Sequence, residues 1–165
     1  MKLKSIELKG FKSFQNKTKI VFPVDGLVSI VGPNGSGKSN VLDAFRWVLG
    51  EQSAKTLRGE KMEDVIFSGT DNKIKKNYST VSITFDNSDN VIPIDFKEVT
   101  ISRKLYRTGE SDYFINKSNV RLKEVRELFL DTGVGREGYS IIGQGRIEEI
   151  INGKSEDRRA IFEEA

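Results

Sequence analysis

Leu27-Val28-Ser29-Ile30-Val31 runs directly into Gly32-Pro33-Asn34-Gly35-Ser36-Gly37-Lys38-Ser39, which spells G-x-x-x-x-G-K-S, a phosphate-binding loop. Glycines let the backbone curl so that successive N–H groups point inward, and the following helix N-terminus adds partial positive charge. In such a loop Lys38 reaches the β- and γ-phosphates and the Ser39 hydroxyl ligates Mg²⁺. Downstream, Val41, Phe45 and Val48 recur at helical spacing with Leu42 and Leu49 beside them, and Gly50 stands where a helix C-terminal cap belongs. The order strand, loop, helix predicts an α/β protein built around a nucleotide site.

The chain has 165 residues, 36% of them hydrophobic, enough for one domain with a real core. Lys and Arg exceed Asp and Glu by 27 − 24 = +3, too small a surplus to identify a nucleic-acid binder by itself. There is no cysteine and no histidine, which excludes disulfides, thiolate metal sites and imidazole bases. Any hydrolytic water must therefore be activated by a carboxylate or a metal. No apolar run is long enough to span a bilayer and the amino terminus lacks a signal-peptide core, so a cytoplasmic protein without membrane partners is expected.

Outward from the loop, Lys2 to Leu8 and Lys17 to Phe22 read as two strands. Lys2, Lys4, Lys9, Lys12, Lys17 and Lys19 face a single acid, Glu7, in this region. These lysines fit either a solvated strand face guarded against aggregation or a surface for a phosphate backbone. Residues 51–61 are polar and aperiodic, a loop carrying Arg58, while Asp64-Val65-Ile66-Phe67 is a short apolar element. From Tyr78 the period becomes two: Val81, Ile83 and Phe85, then Val99 and Ile101, then Tyr113-Phe114-Ile115 predict an antiparallel meander. Asn116-Lys117-Ser118-Asn119 closes its last hairpin, and Leu122, Val125, Leu128 and Phe129 mark an amphipathic helix.

Three other patterns fail on context. Gly133-Val134-Gly135-Arg136-Glu137-Gly138 spells G-x-G-x-x-G, but a helix precedes it and an apolar run follows, the reverse of a dinucleotide site. Gly153-Lys154-Ser155 mimics a loop end, yet position 148 is Glu where the first Gly belongs. Asp95 and Asp131 each end an apolar run as a metal-orienting carboxylate would, but Phe96 and Thr132 follow where Glu is expected. Ile141-Ile142-Gly143-Gln144-Gly145 is more informative. A glutamine between glycines can accept from a metal-bound water and donate to an attacking one, though a plain turn has the same composition.

Lys9-Gly10-Phe11-Lys12-Ser13-Phe14, the loop with Asn40, Gly50-Glu51-Gln52, Leu57-Arg58-Gly59, Asp64-Val65-Ile66-Phe67-Ser68-Gly69 and Ile142-Gly143-Gln144-Gly145 together resemble the bacterial structural maintenance of chromosomes (SMC) proteins. The resemblance covers the whole chain. It implies the amino-terminal lobe of an ABC-type ATPase head over residues 1–154, a mixed or antiparallel sheet around the loop helix, and a coiled-coil helix starting at 155–165. It further implies ATP and Mg²⁺ as ligands. The phosphate site would comprise Gly32, Pro33, Asn34, Gly35, Ser36, Gly37, Lys38, Ser39 and Asn40, with Arg58 as the R-loop arginine and Lys12 and Ser13 close to the nucleotide. Ser39 and Gln144 would serve the metal, and Lys38 and Gln144 the hydrolytic step.

In that family a Leu-Ser-Gly-Gly-type signature, an Asp-Glu pair and a switch histidine belong to a carboxy-terminal half, and these residues contain none of them. The resemblance thus implies half a head. It would pair with its carboxy-terminal half, homodimerise through ATP, bind a kleisin-type subunit and DNA, and act at the nucleoid in chromosome condensation and segregation. A recombination or break-repair ATPase of the same head type is the nearest alternative. An unrelated P-loop GTPase or kinase, or a passive DNA-binding module, are others, although the guanine-reading Asn-Lys-x-Asp of a GTPase is absent.

Overall fold

A computed structural model describes residues 1–23 and 26–129. Its centre is a six-stranded antiparallel sheet in the order β2-β1-β3-β4-β5-β6. The strands are β1 (Lys2–Lys9), β2 (Thr18–Val21), β3 (Tyr78–Asp86), β4 (Glu98–Tyr106), β5 (Ser111–Ile115) and β6 (Ser118–Val120), with helices α1 (Lys38–Val48) and α2 (Leu122–Glu127).

Alternation sorts the two faces of the sheet. On β3 and β4, Val81 pairs with Arg103, Ile83 with Ile101 and Phe85 with Val99, and all six are buried. Their neighbours form a polar face, where Ser82 and Ser102 hydroxyls lie 2.8 Å apart and those of Thr84 and Thr100 3.0 Å apart. A bulge between Leu3 and Ser5 shifts the register of β1, so that Ser5 and the adjacent Ile6 are both buried.

Helix α1 packs against β3 and β4 through Val41, Ala44, Trp47 and Val48. Phe11, from the connection after β1, meets the Trp47 ring at 5.3 Å. Each fully buried side chain of this size contributes about 1.5–3 kcal/mol relative to exposure, so the helix is anchored by packing more than by propensity. Gly50 ends it in the left-handed region, φ 107, as a C-terminal cap requires. A Cβ there would stand 2.9 Å from Leu122 Cδ1, so the cap position also receives α2.

Two expectations need correction. Residues 27–31 make no ladder with the described strands. Leu27 is 95% exposed and Val31 87%. The described sheet runs from β2 to β6 with β1 paired to β3 across the segment that contains this run, and none of its strands takes residues 27–31 as a partner. The apolar element at 64–67 is buried as expected, its first part in a 3-10 turn, Met62–Val65, and Ile66 in an isolated bridge to Phe11. The last hairpin turns on Asn116 and Lys117 alone, both at positive φ (46 and 72), so Ser118 and Asn119 belong to β6. The expected coiled-coil start, the G-x-G-x-x-G segment, Asp131 and Gln144 lie outside the described residues, whereas Asp95 stands exposed between β3 and β4.

Candidate functional site

The loop 32–39 ends on Gly37, whose φ of 93 and ψ of 9 set the N-cap of α1 in a conformation that L side chains resist. Space is tight as well: a Cβ on Gly37 would stand 2.9 Å from Ser13 Oγ, and one on Gly32 2.8 Å from Ser36 Oγ, so either would push a serine hydroxyl aside. Gly35 also lies at positive φ, 80, so two of the three loop glycines hold backbone conformations that L side chains resist. Asn40 and Val41 amides both donate to Gly37 O, which winds the first turn.

Lys38 curls back over this cradle. Its ammonium donates to Gly32 O at 2.5 Å and Pro33 O at 2.7 Å, which holds the charge where the loop converges. Ser39 is exposed one residue further on. The donor set fits a phosphate and a hard cation: backbone amides at a helix N-terminus, one ammonium and one hydroxyl. Among the described residues no acidic cluster could cage a metal by itself, so a cation here would be held by phosphate oxygens, water and Ser39.

Arg58 approaches from the loop after α1. Residues 54–59 form a compact turn in which Leu57 and Gly59 amides donate to Ala54 O, Leu57 is buried, and Arg58 adopts φ 60. Its Nη1 donates to Ser39 Oγ at 2.9 Å, Nη2 to Asn40 Oδ1 at 3.0 Å and Nε to Asp43 Oδ2 at 3.2 Å. A further Nη2 bond reaches the same Asp43 oxygen.

The structure brings Ser39, Asn40, Ser13 and Arg58 into one cluster, with Asn40 Nδ2 donating to Ser13 Oγ at 2.8 Å, while the Lys38 ammonium lies on the Gly32 and Pro33 carbonyls. Lys12 sits beneath it, its ammonium bonded to the Asp43 carboxylate and to Leu57 O. Sequence reading missed Asp43. The available signal was an acid one turn after Ser39, on the stripe that also carries Val41, Ala44 and Trp47, where a carboxylate needs partners to be buried.

The amino-terminal lysines do not form one free basic face. Lys4 pairs with Glu98 at 2.5 Å and Lys17 with Glu7 at 2.9 Å, Lys12 is taken up by Asp43, and Lys9 lies over the Tyr78 ring at 5.4 Å. Lys19 remains exposed on β2. Among the described residues no helix is long and apolar enough to cross a membrane.

Residues 2–141 match the family model described as RecF/RecN/SMC N terminal domain. The chromosome partition protein Smc of Clostridium kluyveri is 60% identical over 165 residues, 100% of this chain and 14% of that protein. This chain therefore spans about 14% of the length of the curated relatives it matches. A chain solved in work on ATP-driven dimerization and DNA stimulated activation of SMC ATPases superposes with a TM-score of 0.92 at 37% identity, covering 99% of this chain and 98% of that one. An SMC head bound to the C-winged helix domain of ScpA superposes with a TM-score of 0.94 at 39% identity, covering 99% of this chain and 51% of that one. With a family model matching residues 2–141, chromosome partition Smc relatives over the whole chain and a fold shared with solved heads, this chain belongs to the SMC branch of the RecF/RecN/SMC N-terminal domain family.

Proposed function

We propose that this chain is the ATP-binding lobe of an SMC head, whose ATP-driven dimerisation and hydrolysis act on DNA in chromosome condensation and segregation. The carrying observation is the Lys38 ammonium held on Gly32 O and Pro33 O at the mouth of a glycine-formed cradle. A nucleotide phosphate would replace those two carbonyls as its partner. Backbone N–H groups of the loop other than at Pro33 would face the phosphates, the Ser39 hydroxyl would hold Mg²⁺, and Arg58, bonded to Ser39 Oγ at 2.9 Å, is near enough to add its charge. Ser39 and Gln144 would hold Mg²⁺, which would supply charge neutralisation during hydrolysis. Gln144 is assigned to orienting the attacking water, in the Q-loop role that the resemblance gives it.

The reading extends to the rest of the molecule by relationship. The structural relatives are described in terms of ATP-driven dimerisation and of a complex with ScpA, so a second head and a kleisin-type subunit are proposed as partners. Residues 1–154 are assigned to the head lobe and 155–165 to the start of a coiled coil. A carboxy-terminal half would supply the catalytic carboxylates and make this lobe part of an ATPase, with a nucleoid-associated place in the cytoplasm. Titration of a fluorescent ATP analogue against the completed head and its Lys38→Ala variant tests the reading. Loss of a charge-assisted contact of about 1.5–3 kcal/mol predicts at least a roughly tenfold fall in affinity. Equal affinities would remove the phosphate-site assignment.

A further inference from the structure

We propose that Asp43 is a positioning residue for the phosphate site, holding Arg58 over Ser39 through a carboxylate that it shares with Lys12. The proposal rests on the phosphate-site reading above and adds to it the residue through which the arginine is aimed. Asp43 lies four residues after Ser39 on α1, so the two side chains share one face of the helix. Its side chain is 5% exposed and contacts two cations, Lys12 at 13% and Arg58 at 52%. One cation suffices to balance a buried carboxylate. The second leaves the trio with a net positive charge, and the exposure pattern places that surplus on the arginine, at the surface beside Ser39 and Asn40.

The guanidinium is held unevenly. Nε and Nη2 are anchored on Asp43, whereas Nη1 rests on the Ser39 hydroxyl, 2.9 Å away. A serine oxygen that ligated a cation would be a weaker acceptor for the Arg58 guanidinium, its remaining lone pair being drawn toward the cation. Nη1 is then available to an anionic oxygen while the Asp43 bonds keep the group in place. Lys12 secures the arrangement from below by donating to Leu57 O, the carbonyl just before Arg58. Lys12 (φ 45) and Arg58 (φ 60) both occupy the left-handed region, a conformation that non-glycine residues hold only where their surroundings fix them. Leu57, 1% exposed, supplies that fixing by plugging the turn into the core.

The test is a double-mutant cycle for Mg·ATP affinity in the full-length protein. Asp43→Asn and Arg58→Ala are each expected to weaken binding by about tenfold, the size of a lost charge-assisted contact. Because Asp43 acts through Arg58, the double variant should bind no more weakly than Arg58→Ala alone. A purely structural carboxylate would instead multiply the two losses. Multiplicative losses, or wild-type affinity in Asp43→Asn, overturn the proposal. Where Asp43→Asn does not fold, Lys12→Met/Asp43→Asn removes the buried ammonium along with the carboxylate, and the same weakening is expected; wild-type affinity there overturns it too. Lys38→Ala separates the two levels: if it binds ATP normally the phosphate site itself is wrong, and if it fails to bind while Asp43→Asn binds normally only the positioning role is lost.

Discussion

Arg103 on β4 stacks over the indole of Trp47 on α1, 4.6 Å from guanidinium carbon to ring centroid, and donates to the carbonyl of that same tryptophan at 2.9 Å. A second bond reaches Glu51 O at 2.7 Å, and Tyr113 covers the other flank at 5.0 Å. The cation thus sits at the C-terminal end of the loop helix, where carbonyl dipoles converge. Burial pushes its pKa down to about 10, which still leaves it charged at neutral pH. The helix that presents the phosphate loop at one end is held at the other by an arginine inside the sheet.

Arg103→Met is therefore expected to destabilise the head by about 2–3 kcal/mol, since it removes a desolvated cation–π contact and one of the two donors to each of the Trp47 and Glu51 carbonyls, which keep the Gly50 amide and the Gln52 side chain. Arg103→Lys should recover little, because a point charge cannot stack and fork at once. Urea denaturation of the completed head measures both. A loss under about 1 kcal/mol for Arg103→Met would show that the stack is not what fixes the helix.

The turn that carries Arg58 into Met62–Val65 has its own anchor. Asp64 accepts from the Glu60 and Lys61 amides at 2.9 and 3.0 Å, and these backbone bonds, Lys61 first, hold its carboxyl below the ordinary value of 3.8. A lowered folded value means that its stabilisation is complete above pH 3.8 and is lost as pH falls through the folded value. Asp64→Ala should lower the urea midpoint at pH 7 and make progressively less difference as the medium becomes more acidic than pH 3.8. A gap between the two proteins that stays constant across that range would separate Asp64 from the acid response.

Much of this was legible in the residues. Alternation from Tyr78 onward located β3 to β5, and the loop with its helical flank located α1 and the cradle, because both signals are local. Three features were not. Residues 27–31 have strand composition, yet a strand exists only by pairing, and composition does not name the partner. Arg103 falls on the inward stripe of β4 with Val99 and Ile101, but nothing local says that Trp47 and Tyr113 surround it there. Lys12 looked like one of six equivalent lysines. Its burial depends on Asp43 and Leu57, 31 and 45 residues away, and such distances leave no periodic trace.

DNA contact is expected to be made to the phosphate backbone and without sequence preference. Lys9 and Lys19 are exposed lysines of the first two strands, whereas Lys4 and Lys17 are paired. Binding by the completed head should weaken steeply with salt, and each lysine–phosphate contact removed should lower the log–log slope by about 0.9. Anisotropy titrations of two unrelated duplexes, with Lys9→Glu and Lys19→Glu, measure this. Salt-insensitive binding would point to a contact of another kind.

The exposed apolar run at 27–31 leads to the last expectation. Leu27, Val28, Ile30 and Val31 are exposed, although the segment feeds directly into the loop at Gly32. In the proposed head, this run becomes a strand only when the carboxy-terminal half supplies its neighbour. Residues 1–165 alone should therefore associate through that surface, bind ATP weakly and not turn it over, since neither the metal-orienting carboxylate nor the catalytic Glu is present. Adding the carboxy-terminal half, by a short linker or as a second chain, should give a monodisperse head that dimerises with ATP. Hydrogen exchange supplies the local readout: amides of residues 28–31 should exchange freely in the fragment and become protected on completion, in step with the gain of ATP turnover. If those amides exchange equally fast in both, or if the fragment alone hydrolyses ATP at the completed head's rate, the division of the head at this surface is wrong.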